Sequence, residues 1–218
     1  FWLVSMALLA STVFFFVERN SVKASWRTSI TLSGLVTGIA FWHYMYMREV
    51  WVATGSSPTV FRYIDWLLTV PLLMVEFYFI LSAVKKVSSG IFWRLLIGTL
   101  VMLIGGYLGE AGYMNVTAGF VIGMGGWIYI LYEVFSGEAG QEAAKLKGPA
   151  ADCFNFCKWI VTLGWSVYPL GYLFGYMVGG TDEATLNQIY NLADFINKIL
   201  FGLVIYAAAK SLTPASSK

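Results

Sequence analysis

With 218 residues, 58% hydrophobic and only 12% charged, the chain carries more apolar surface than one water-soluble core can hide. A net charge of +2 gives no electrostatic footprint for nucleic acid, so no nucleic-acid partner is expected. One histidine and two cysteines, Cys153 and Cys157, supply neither a disulfide framework nor a metal-ligand set, and no metal is expected. The cysteines read as ordinary small residues near a helix start. An aromatic content of 17%, with nine Trp, suits a membrane protein with interfacial belts.

Seven apolar runs follow one another at 1–17, 29–47, 63–84, 91–109, 113–132, 159–178 and 188–209. Each is near the roughly 20 residues that a helix needs to cross a bilayer. The expectation is an all-α membrane protein, a single seven-transmembrane-helix bundle over 1–218 with membrane lipid around it. The first run is short and opens at Phe1 in mid-helix, which predicts a leading segment, of the signal-peptide kind, ahead of it. Of the polar connectors, 136–152 is the longest and most hydrophilic.

Orientation follows from the lysines and arginines. Arg19, Lys23, Arg27, Lys85, Lys86, Lys145, Lys147, Lys210 and Lys218 fall in connectors one, three and five or in the tail, with Arg94 and Lys158 at adjoining helix starts. Arg48 and Arg62 stand on the other side. The positive-inside rule then puts the N-terminus outside and the C-terminus in the cytoplasm. Glycines four residues apart, Gly105/Gly109, Gly119/Gly123 and Gly171/Gly175/Gly179, predict close helix seams. Pro71 and Pro169 lie inside the third and sixth runs and predict kinks there.

The third run holds Arg62, Asp65, Thr69 and Glu76 at offsets of 3, 7 and 14 from Arg62, which places all four on one helical stripe. Asp65 and Glu76 are then about 16 Å apart along the axis, like two stations on a proton path. An ion pair would account for Arg62 with Asp65 but leaves Glu76 without a partner. The seventh run holds Asp194 and Lys198 at i, i+4, with Tyr190 one further turn out and able to hydrogen-bond a carboxylate. Ionisable residues inside such a run are expensive and are kept by default for function. An amine among apolar residues is a candidate nucleophile toward an aldehyde, and Asp65 and Asp194 are the candidates to hold the proton of the resulting imine. Trp66, Trp127, Trp165, Tyr168 and Pro169 supply aromatic and rigid walls for a long flat polyene. His43 is level with Asp65, so the two are expected to couple. Glu110 and Glu133 fall at helix ends and are expected to be solvated.

The segments Arg62-Tyr-Ile-Asp65-Trp66-Leu-Leu-Thr69-Val-Pro71, Trp165-Ser-Val-Tyr168-Pro169 and Asp194-Phe-Ile-Asn-Lys198 resemble the microbial rhodopsins. Together with Phe41-Trp42-His43-Tyr44-Met-Tyr-Met they resemble the proteorhodopsins of marine bacteria. The resemblance runs over essentially the whole chain. It implies all-trans retinal bound covalently to Lys198 as a protonated Schiff base, in a multi-pass protein of the bacterial inner membrane. It implies that Asp65 is the counterion and proton acceptor, Asp194 the second counterion, and Arg62 part of the exit path. Glu76 would be the proton donor, and His43 the partner that tunes the acceptor's proton affinity. Trp66, Thr69, Trp127, Trp165, Tyr168, Pro169 and Tyr190 would bind the retinal, and Leu73 would be the spectral-tuning position, where leucine goes with green absorption. A homo-oligomeric ring of protomers is implied as well. The function so implied is a light-driven outward proton pump, an ion transporter and not an enzyme. A photosensory rhodopsin signalling to a partner protein is the alternative, and Glu76 argues against it because a sensor needs no inner donor. A ligand-gated seven-helix receptor gives no reason for Lys198 beside Asp194, and a purely structural ion pair leaves Glu76 unexplained.

Overall fold

A computed structural model describes residues 1–214 of the chain, and Lys218, counted above with the C-terminal side, lies outside them. Among the described residues every regular element is helical. The helices are α1 Trp2–Glu18, α2 Arg27–Thr54, α3 Thr59–Ser82, α4 Gly90–Glu110, α5 Val116–Phe135, α6 Glu138–Ala143, α7 Pro149–Trp159, α8 Val167–Tyr172 and α9 Glu183–Ser211. Each of α1 to α4 packs on its successor, α4 packs on α5, and α7 and α8 close the ring by packing on α9, which also meets α1 and α2. Seven members therefore build the bundle, the sixth made of α7 and α8 together, while α6 is a short helix in the connector.

Among the described residues five helical spans are long and apolar enough to cross a membrane: Trp2–Ser21, Thr59–Ser82, Gly90–Glu110, Val116–Ala143 and Glu183–Ser211. The other two runs fall short for identifiable reasons. In α2 the apolar stretch is diluted by Ser29, Thr31, Ser33, Thr37 and His43. The sixth member is broken, because π turns at Ile160–Gly164 and Leu173–Met177 interrupt it on either side of α8. It also begins at Pro149, ten residues before the apolar run, since α7 is helical without being uniformly apolar. Proline suits that first turn, where its missing N–H has no intrahelical partner to lose. By contrast α3 continues through Pro71.

Local chemistry sets the ends. Asn115 caps α5 by accepting from the Ala118 N–H at 3.1 Å. Asp182 caps α9 through the Thr185 N–H at 2.9 Å, and that bond, with a second from the Thr185 hydroxyl, holds its carboxyl below the ordinary carboxylate range. Gly55 ends α2 in the left-handed conformation at φ 67°.

Two ends of the bundle are tied differently. At one, the Lys85 amine pairs with Glu142, Tyr206 donates to Glu18 at 2.6 Å, and Lys210 donates to Ser21 at 2.9 Å. At the same end Glu133, expected at a solvated helix end, is buried. It takes two hydrogen bonds from Arg94, at 3.0 and 3.1 Å, and one from the Ala139 N–H at 3.1 Å, and so pins the start of α6. A helix end is a poor guide to exposure when a connector folds back over it. At the opposite end the Ser57 N–H donates to Glu183 at 2.5 Å, joining the α2–α3 connector to the start of α9.

The expected glycine seam between α4 and α5 forms. A Cβ on Gly119 would sit 2.7 Å from Gly109 Cα and 2.9 Å from the Gly105 carbonyl oxygen, both rigid backbone. Gly171 and Gly175 also pack closely, against Tyr190 and Leu186. Gly179 does not belong to that series: its φ is +78° and nothing lies within 4 Å, so it serves the turn before α9. Gly119→Val should destabilise the fold by about 1–3 kcal/mol, the usual cost of forcing atoms into a filled seam, whereas Gly125→Ala, with nothing within 4 Å, should be neutral. Thermal melts of the two purified variants check this; equal melting temperatures would contradict it.

Candidate functional site

The charged residues of α3 and α9 meet at mid-bundle. The Lys198 amine ion-pairs with Asp65 Oδ2 across the two helices and lies 3.3 Å from Asp194 Oδ2, one turn away on its own helix. All three side chains are at most 2% exposed. Asp194 is further held by the Tyr44 hydroxyl of α2 at 2.7 Å, the Tyr168 hydroxyl of α8 at 2.7 Å and the Trp66 indole N–H at 3.3 Å. Asp65 is held less completely. Its Oδ1 has no hydrogen-bond partner, and His43 Nδ1 stands 3.5 Å from it, just beyond a good hydrogen bond. The coupling expected of His43 thus has a geometric basis.

Arg62 is buried but does not pair with Asp65. Its Nη2 donates to Asn187 at 2.8 Å and Asn191 at 3.1 Å, and Nη1 lies 3.4 Å from the Tyr44 hydroxyl. Its guanidinium also sits 5.4 Å from the Tyr190 ring. The ion-pair explanation for Arg62 with Asp65 therefore falls, because the amides of α9 occupy the donors.

Lys198 and Asp194 line a cavity enclosed between the helices. Trp66, Leu73, Trp127, Trp165, Tyr168 and Pro169 line it, as expected from the sequence, and so do Met102, Met124 and several glycines. Thr69 and Tyr190 are not on its wall. The Thr69 hydroxyl donates to the Asp65 carbonyl at 2.9 Å, one turn back on α3. Tyr190 backs the wall, packing edge-on against Trp66 with ring centroids 5.6 Å apart. Its hydroxyl has no hydrogen-bond partner, so the carboxylate bond expected of it is made by Tyr44 and Tyr168 instead. Glu110, also expected in solvent, is half-buried on the cavity wall and accepts from the Tyr63 hydroxyl at 2.9 Å.

Glu76 lies on the same stripe of α3, eleven residues from Asp65 and so about 16 Å along the axis. It is 1% exposed and neither oxygen has a hydrogen-bond partner. Ser29 of α2 and Cys153 of α7 are the polar groups that face it. An unpartnered buried carboxyl has no structural justification.

Several members of the site escaped the sequence reading. Tyr44 directly follows His43, and Asn187 and Asn191 continue the helical spacing of four, three and four residues that leads to Asp194 and Lys198. That periodicity was the available signal for the two amides. Nothing in the sequence marks Asn197, which meets the sixth helix only through the fold.

Comparison with known proteins places the chain in a family. Residues 1–212 match the family model described as bacteriorhodopsin-like protein. The green-light absorbing proteorhodopsin of Gamma-proteobacterium EBAC31A08 is 59% identical over 211 residues, covering 96% of this chain and 84% of that protein. The blue-light absorbing proteorhodopsin of Gamma-proteobacterium Hot 75m4 is 57% identical over 212 residues, with the same coverage of 96% and 84%. The crystal structure of a blue light-absorbing proteorhodopsin from Med12 aligns with a TM-score of 0.84 at 53% identity, covering 96% of each chain. Xanthorhodopsin, whose structure is described as that of a light-driven ion pump with dual chromophore, aligns at 0.84 with 26% identity over 97% of this chain and 90% of its own.

The chain belongs to the bacteriorhodopsin-like family. Membership implies a retinal chromophore and places the chain among membrane transporters rather than enzymes. The cavity fits such a group: its wall is mainly apolar, with Trp66, Trp127 and Trp165 on it, and it includes Lys198, whose amine can carry a covalently bound ligand. Replacing Asn187 and Asn191 together by Ala should cost roughly 1.5–3 kcal/mol, because the Arg62 charge would lose its two amide acceptors in a buried setting. Denaturant titration of the purified protein checks this; an unchanged midpoint would mean that Arg62 finds other partners.

Proposed function

We propose that the chain is a light-driven outward proton pump of a bacterial inner membrane, one retinal-binding domain with its N-terminus outside and its C-terminus in the cytoplasm. The observation that carries this reading is the pairing of two unlike carboxyls on one face of α3. Asp65 touches the Lys198 amine on the cavity wall, while Glu76 lies buried and unpartnered further along the stripe. A sensor needs only the first of these. The names of the relatives, proteorhodopsins and a light-driven ion pump, support the same reading. The excess of Lys and Arg in connectors one, three and five supports the orientation.

Lys198 would hold retinal covalently, and the bound group would supply light absorption and a light-driven isomerisation. Everything else falls to the chain's own residues. Asp65, with Oδ1 free of hydrogen bonds, receives the proton; Asp194, with donors on both oxygens, stays ionised and balances the buried cation. His43 faces the free oxygen of Asp65 and tunes how tightly the proton is held. Arg62 steers the proton outward from beyond the ion cluster. Glu76, short of partners, surrenders its proton from the inner side and refills from the cytoplasm. Trp66, Trp165, Tyr168 and Pro169 confine the polyene, with Trp127 on the α5 side and Thr69 and Tyr190 bracing the wall from behind. Leu73, on the cavity wall, favours green absorption. Protomers assemble as a homo-oligomeric ring.

Asp65→Asn should keep a coloured pigment and lose light-driven proton transport; transport that survives the change would remove Asp65 as acceptor. Glu76→Gln should slow the recovery of colour after a flash by roughly 10²-fold, the lower end of what a positioned proton donor contributes. An unaltered recovery rate would take the donor role from Glu76 and bring the sensory reading forward.

A further inference from the structure

The break in the sixth bundle member is wired directly to the ion cluster. At the first π turn the Trp165 N–H bonds to the Ile160 carbonyl at 3.1 Å, and the Val161 carbonyl accepts instead from the Trp127 indole N–H at 3.2 Å. Four residues beyond Trp165, Pro169 has no N–H to offer the Trp165 carbonyl, which takes the Tyr168 N–H at 3.1 Å. That shift deprives the Gly164 carbonyl of its helical donor. The replacement comes from α9: the Asn197 side-chain amide donates to it at 3.0 Å. The same nitrogen lies 3.3 Å from the Tyr168 hydroxyl, which donates to Asp194. Asn197 is 2% exposed and directly precedes Lys198. The fit is close on both sides, since a Cβ on Gly164 would lie 2.1 Å from Asn197 Oδ1.

From this geometry we infer that Asn197 is a latch that couples the ion cluster to the opening of the sixth helix. This rests on the pump reading, in which the inner route to Glu76 must open after the outward transfer. In the closed state Asn197 holds the carbonyl freed by Pro169, and Tyr168 ties that amide to Asp194. A change in the charge or hydrogen bonding of Asp194 reaches the Gly164 carbonyl through three successive hydrogen bonds, with no intervening loop. A buried carbonyl left without a donor penalises the closed state, so loss of the latch favours the open one, where water reaches the carbonyl. Asn197 is a positioning residue in this scheme and acts through the helix it holds.

The test places spin labels at Lys86, beyond the end of α3, and at Asn155 on α7, both exposed, in a chain whose buried Cys153 and Cys157 are changed to alanine. Inter-label distances are measured in the dark, with and without retinal, and after a flash. Asn197→Leu removes the donor at similar volume, and Gly164→Ala displaces the amide without substituting any residue of α9. Both are expected to lengthen the dark distance or to prolong the light-induced increase by roughly fivefold or more, the lower range of ordinary coupling between sites. Dark distances and lifetimes equal to those of the parent in both variants would overturn the latch, as would a change in Gly164→Ala alone. Where a variant binds no retinal, the dark distance of the retinal-free protein decides in the same way. A parent pigment that moves no protons defeats the pump reading, while the dark distances still decide whether Asn197 holds the helix.

Discussion

A lysine buried between two aspartates is the constraint around which this bundle is arranged. Three ionised groups out of reach of water are tolerated only when opposite charges touch and the remaining oxygens find donors. Lys198, Asp65 and Asp194 meet the first condition, and buried Arg62 beyond them brings the four charges to balance. Tyr44, Tyr168 and Trp66 meet the second for Asp194. Because those donors come from α2, α8 and α3, the cluster fixes the register of four bundle members at once. It also leaves one oxygen of Asp65 free, and that inequality between the two carboxyls is what the proposed division into proton acceptor and standing counterion rests on.

The stripe on α3 has a second inequality. Asp65 is surrounded by charge and Glu76 by none, its polar neighbours being Ser29 and Cys153. Two carboxyls of one helix, about 16 Å apart, thereby sit in unlike surroundings. Directional transport needs that kind of asymmetry, since a proton path with equivalent stations runs both ways. Helix breaks complete the design: π turns free backbone carbonyls, and those carbonyls are where α5 and α9 grip the sixth member.

Much of this was legible in the sequence. Lys198, Asp194, Asp65 and Glu76 stand out because a charge inside an apolar run has few explanations, and helical periodicity places them on facing stripes. The cavity aromatics follow from the same positions, as do the α4–α5 glycines. What was hidden depends on contacts between distant segments. Glu133 looks like an exposed helix end until α6 folds over it. Arg62 looks like the partner of Asp65 until Asn187 and Asn191 take its donors. Tyr190 has the right spacing to reach a carboxylate, but packing against Trp66 turns its hydroxyl away. The interruption at Ile160–Gly164 carries no composition signal, since π turns persist only where another helix satisfies the groups they free.

The central claim is that light moves protons outward through this chain, and external pH in an illuminated suspension of cells expressing it with all-trans retinal tests that most directly. The account predicts acidification on illumination that a protonophore abolishes. A coloured pigment with no change in external pH would contradict it.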